Sequence, residues 1–234
     1  MNAGPSSTYS YTWTPARPLP TRVRTSPQEL YQISGAFAVL TLDFLLILYF
    51  GGALYAAPGI LVSLPLWEAV VVAAVAALTA FVAHEMAHKV SAQRGGYWAE
   101  FRWAPLWLAF SVLTSYLGFL LAAPGATVVG GMGSSRDWGR TSLAGPLVNM
   151  GFALAFYAGS FAAWSFGSVV YFPLLVIAFF NGWFGALNLI PLGPLDGAKV
   201  LRWSVPNWVA AFAVGAVIAG LCYVGLFVVG RPGL

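Results

Sequence analysis

Residues 67–92 read WEAVVVAAVAALTAFVAHEMAHKVSA. A hydrocarbon core of about 30 Å needs about 20 apolar helical residues, and this run is long enough. Close to its end stands His84-Glu85-Met86-Ala87-His88, which holds both histidines of the chain. On a helix, positions i and i+4 share a face, so the two imidazoles can reach one metal ion. Glu85 lies one step round the helix and is placed to act as a general base. Such groups are expensive among Ala, Val and Leu, about 2.5–3.5 kcal/mol for an Asp at a helix centre on the insertion scale. Function is the usual reason for keeping them there.

The rest of the chain fits a bilayer solvent. Of 234 residues, 59% are hydrophobic and 8% are charged, against about 25% charged in soluble domains. Mean hydropathy is +0.79. Disorder, collagen-like structure and an ordinary cytosolic enzyme are excluded. The single cysteine, Cys222, rules out an internal disulfide and a multi-cysteine zinc site. The net charge of +4 sits in short clusters beside apolar runs, as orientation signals do, so no nucleic-acid partner is expected.

Outward from the histidines, residues 33–57, 142–166, 169–190 and 208–229 are further membrane-spanning runs. Residues 1–27, rich in Ser, Thr and Pro, read as a flexible cytoplasmic tail. Residues 28–60 carry the first transmembrane helix, and 67–230 form the core. Arg17, Arg22 and Arg24 precede the first span, so the N-terminus is expected in the cytoplasm. Residues 104–123 are also apolar. If they crossed once, Arg136 and Arg140 would lie outside; if they dip in and return, every basic cluster but Arg231 is cytoplasmic. The expected fold is therefore an all-α polytopic membrane protein. It has about five transmembrane helices and a re-entrant element at 103–133, with the option of a short β-hairpin.

Catalytic zinc takes three protein ligands, and both histidines are used. Glu29 is assigned to the tail, and Glu68 is more than four turns from His84. Glu100 and Asp137 read as loop acids beside Arg102 and Arg136. Cys222 has apolar neighbours. Asp43 and Asp196 remain. Asp43 suits a hydrogen bond to a neighbouring helix. Asp196 ends a stretch broken by Pro191, Gly193 and Pro194, and broken backbone at membrane depth belongs where it lines a cavity. Asp196 shares a side with the histidines only if 104–133 is re-entrant, in agreement with the charges.

His-Glu-x-x-His in one span, with Asn188, Pro191, Leu195, Asp196 and Gly197 in a later one, resembles the site-2 protease family of intramembrane zinc metalloproteases. Ala144-Gly145-Pro146-Leu147-Val148-Asn149 is similar to the Gly-Pro-x-x-Asn segment between those motifs. The resemblance implies one zinc ion on His84, His88 and Asp196, with Glu85 as base and Asn149 and Asn188 as substrate-binding residues. It implies a compact form without a PDZ or CBS domain, in the cell membrane of a prokaryote, cutting a transmembrane protein substrate near the cytoplasmic side. The stretch Gly125–Gly131 could add a strand to an unwound substrate, in which case Val128→Pro removes a donor. Two alternatives differ at named residues. A membrane zinc protease for surface peptides would take Glu100 as third ligand, and a non-enzymatic metal-binding membrane protein would not need Glu85.

Overall fold

A computed structural model describes residues 23–50, 64–120, 124–131 and 133–229. Five of its helices are long and apolar enough to cross a membrane: Pro27–Tyr49, Leu66–Arg94, Ser135–Ala162, Val169–Asn188 and Val205–Val229. Most of the expected tail, the end of the expected first span and residues 230–234 fall outside the described residues.

Helix α1 (Pro27–Leu45) starts where Ser26 accepts the Glu29 N–H and Pro27 opens the first turn, since proline presets the helical φ there. It continues as a wide turn, Leu46–Phe50. Glu29 is thus a helical residue, and it is fully buried, which corrects its assignment to the tail. The next span is built from α2 (Leu66–Ala77), a π-helical turn (Leu78–Val82) and α3 (Ala83–Arg94).

The excursion at 98–130 contains β1 (Trp98–Trp103), α4 (Pro105–Leu117) and β2 (Gly125–Gly130). The strands pair antiparallel, with Trp98 opposite Gly130 and Trp103 opposite Gly125. The 13 residues of α4 span about 20 Å at 1.5 Å each, short of the hydrocarbon core. Because Trp103 and Gly125 are paired, the chain returns to the level it left. The element is therefore strand, helix, strand rather than a tight hairpin, and Glu100 belongs to a strand, not a loop.

One edge of this small sheet is closed. The Phe101 N–H donates to Glu29 Oε1 at 3.0 Å and the Trp103 N–H to Gln32 Oε1 at 3.4 Å. The Gln93 amide donates to the Ala99 carbonyl at 2.8 Å. Lys89, fully buried, pairs with Glu29 and donates to Thr25 Oγ1. Side chains of α1 and α3 thus satisfy the outer edge of β1, so that strand offers no template for pairing. The free edge belongs to β2.

Helix α5 (Ser135–Ala162) begins seven residues before the expected 142, because Ser134 caps the Asp137 N–H. Asp137 is therefore helical, held by Ser134 Oγ and the Tyr97 hydroxyl, each at 2.6 Å. Helix α6 (Ser168–Asn188) runs back, then α7 (Asp196–Trp203) and α8 (Val205–Val224) complete the order. The broken backbone between α6 and α7 is stitched by Trp208, whose Nε1–H donates to the Leu189 carbonyl at 2.8 Å. Phe44, Leu40, Val176 and Leu175 fill the apolar core.

Candidate metal centre

Two chain segments bring three ligand residues to one point. Helix α3 supplies His84 and His88, one turn apart. The first residue of α7 supplies Asp196. His84 Nε2 lies 2.9 Å from His88 Nε2, and Asp196 Oδ2 lies 3.2 Å and 3.0 Å from the two rings. Tetrahedral zinc with bonds of about 2.0–2.1 Å separates its ligand atoms by about 3.3 Å. All three residues are buried, and their donor set of two imidazoles and a carboxylate suits zinc.

The surroundings aim these atoms. His88 Nδ1 is 2.7 Å from the Thr141 carbonyl on α5. That bond assigns the proton to Nδ1 and turns the Nε2 lone pair inward, as outer contacts of metal-binding histidines do. Pro146 sits inside the same helix and denies the Ser142 carbonyl its usual N–H partner, which loosens this turn. A Cβ at Gly145 would lie 2.6 Å from Nε2 of both histidines, so α5 approaches the site closely only because residue 145 has none. A Cβ at Gly197 would lie 2.1 Å from the Leu189 carbonyl oxygen, so the turn delivering Asp196 has the same requirement. Burial pushes the Asp196 carboxyl up, but the two imidazoles outweigh it and hold it well below its usual range.

Glu85 stands beside this cluster. The Thr127 N–H of β2 donates to Glu85 Oε2 at 2.8 Å, and the Thr127 hydroxyl lies 2.8 Å from the same oxygen. Because the Thr127 N–H points to Glu85 and the Phe101 N–H points to Glu29, these opposed residues exchange no ladder bond. Main-chain groups alternate between edges along a strand. Gly125, Thr127 and Val129 therefore face outward, whereas Ala126, Val128 and Gly130 face β1. A cavity of about 210 Å³ opens over the cluster, between Phe44 of α1, Thr127 and Val129 of β2, Asn188 and Lys199.

The structure does not bring every candidate to this cavity. Asn188 lines it, with its Nδ2 donating to the Phe184 carbonyl at 3.0 Å. Asn149 is fully buried and donates to the Ala80 carbonyl in the π-helical turn at 3.1 Å. Asn181 donates to Thr79 Oγ1 in that turn at 2.8 Å. Asp43 accepts from Ser111 Oγ of α4 at 2.6 Å. Glu100 pairs with Arg102 on β1 and is outside the cluster. Thr127, Lys199 and Asn181 were not among the site residues expected from the sequence. Asn181 carried a signal, as a polar residue within an apolar span.

The chain is 29% identical over 145 residues to "Putative zinc metalloprotease MJ0611" of Methanocaldococcus jannaschii. The alignment covers 59% of this chain and 73% of the relative. No protein-family model and no solved structure matches the chain. This relative, the five apolar helices and the His84–His88–Asp196 cluster support a membrane metalloprotease and are consistent with a family like the site-2 proteases.

Proposed function

We propose that the protein is an intramembrane zinc endopeptidase that cuts a transmembrane segment of a membrane-protein substrate. The observation carrying this reading is the convergence of His84, His88 and Asp196 with Glu85 alongside. His84, His88 and Asp196 would hold one zinc ion. When bound, zinc supplies Lewis-acid polarisation of the scissile carbonyl and lowers the pKa of water to about 7.

The chain's own groups do the rest. Glu85 takes the water proton and returns it to the leaving amine. Thr127 fixes Glu85 Oε2 with its N–H and hydroxyl, which leaves Oε1 for the proton. An unwound substrate helix exposes amides that lipid cannot satisfy. The edge of β2 beside the cavity offers the main-chain groups of Gly125 and Val129 and the carbonyl of Thr127, whose N–H is held by Glu85, and so supports strand addition. Asn188, which lines the cavity, would hold the substrate backbone, and Asn149 would act indirectly by steadying the turn that precedes His84. The surface-peptide alternative needs Glu100 as a ligand, and the Arg102 pair on β1 argues against it.

The test is incubation of purified, zinc-loaded protein with a panel of single-span membrane proteins, with fragments read by mass spectrometry. Cuts within a span are expected, lost with chelator and lost in Glu85→Gln, which keeps its zinc. Chelator-insensitive cutting, near wild-type turnover in Glu85→Gln, or no cut across the panel would refute the proposal.

A further inference from the structure

Next to the metal centre lies a second cavity, about 300 Å³, lined by Ser135 and Trp138 of α5 and Lys199 and Arg202 of α7. Trp138 and Lys199 also line the cavity over the metal centre and form the wall between the two. One acid, Asp196, faces the two cations, and it reaches Lys199 alone. Arg202 makes no hydrogen bond or ion pair among the described residues. Asp137, the acid of the adjoining turn, is turned to Ser134 and Tyr97. Lys199 reaches only Asp196 Oδ1, at 3.3 Å, with 37% of its side chain exposed.

The depth of this cavity is also marked. Trp138 and Trp203 lie at the same end of the bundle, where aromatic side chains sit at headgroup level. Helix α7 turns Asp196, Gly197 and Val200 inward and leaves Arg202 exposed. A planar guanidinium and an ammonium on one cavity wall are the recognition pair for phosphate oxygens, and basic pockets at membrane interfaces take anionic headgroups.

We infer that the cavity lined by Trp138, Lys199 and Arg202 binds a phosphate-bearing anion, either an anionic phospholipid headgroup or free phosphate. Arg202 grips the phosphate from the outer side and Lys199 from the inner side. Occupancy has a consequence that rests on the proposed metal site. The Lys199 ammonium is shared between the phosphate and Asp196 Oδ1, so a bound phosphate draws it from the carboxylate. Asp196 is then freer to hold zinc.

The test uses the full chain in nanodiscs of phosphatidylcholine with 0 or 30% phosphatidylglycerol, compositions chosen to bracket anionic membranes. Retained lipid is read by native mass spectrometry. Phosphatidylglycerol should be retained in preference to phosphatidylcholine. Arg202→Gln should lower that retention about fivefold, the worth of one interfacial cation, and Arg94→Gln at the end of α3 should not. A second arm adds inorganic phosphate to phosphatidylcholine nanodiscs. Displacement of retained phosphatidylglycerol by phosphate would support the site with a soluble ligand, and failure to displace would support the lipid.

Equal retention of the two lipids with no phosphate binding would overturn the site. So would equal losses in Arg202→Gln and Arg94→Gln, or full retention in Arg202→Gln. Zinc loss to chelator should slow with phosphatidylglycerol in wild type and not in Arg202→Gln. Retention with unchanged zinc loss would overturn the link to Asp196. Lipid retention is independent of peptide cleavage, so failure here is distinguishable from failure of the protease reading.

Discussion

His84 and His88 need no more than helical spacing to share a face, but their aim depends on a residue without a side chain. Gly145 of α5 lies against both Nε2 atoms, with only 2.6 Å to a notional Cβ. Gly145→Ala must therefore displace the rings or the helix. Zinc affinity is expected to fall about 10–100-fold, the scale of lost outer support for metal ligands. Competition with a chromogenic chelator would measure it, and unchanged affinity would show that α5 gives way freely. The ligand spacing and the broken segment carrying Asp196 were legible in the sequence because helix periodicity and proline geometry are local rules. The Thr127–Glu85 contact joins residues 42 apart in the chain, and no local rule reaches it. Glu29 was misread for a related reason. Its partner Lys89 lies 60 positions on, and the composition of residues 1–27 hides that Ser26 already starts a helix.

Among the elements, the strand pair departs most from what the sequence suggested. Short β-branched runs flanked by glycine read equally as loop or strand, so the pairing of Trp98–Trp103 with Gly125–Gly130 needed the tertiary context of α1. The register also moves the informative substitution. Val128 faces β1, opposite Glu100, so Val128→Pro would break a rung of the sheet rather than the free edge. Val129 faces the cavity edge. Val129→Pro should lower kcat/KM about tenfold, near the worth of one hydrogen bond at about 1–1.5 kcal/mol, with the melting temperature little changed. Val128→Pro should lower the melting temperature instead. Kinetics and thermal unfolding of both variants in detergent would check this, and unchanged kcat/KM in Val129→Pro would count against strand addition. The π-helical turn at Leu78–Val82 was likewise invisible, because its sequence is as apolar as the helix around it. Its carbonyl at Ala80 and hydroxyl at Thr79 are satisfied by Asn149 and Asn181 from two other spans.

For the whole molecule, five spans follow from length and hydropathy alone, and the structure places them close to the expected ranges. The even number of crossings between His88 and Asp196 followed from charge and geometry together. The short α4 and the pairing of Trp103 with Gly125 agree with a chain that dips and returns. The proposed orientation, with the N-terminus in the cytoplasm, predicts opposite labelling at the two ends of the bundle. In a Cys222→Ser background, Ser10→Cys and Arg94→Cys should react with an impermeant maleimide only after the cells are opened. Phe166→Cys, between α5 and α6, should react on intact cells. Ser10→Cys labelled on intact cells would reverse the orientation. The most direct measurement is zinc per chain in purified wild type, Asp196→Ala and Glu100→Ala. About one zinc is expected in wild type and in Glu100→Ala, and less than about a tenth of that in Asp196→Ala, because a catalytic site needs its third protein ligand. Full zinc in Asp196→Ala, or its loss in Glu100→Ala, would contradict the site built from His84, His88 and Asp196.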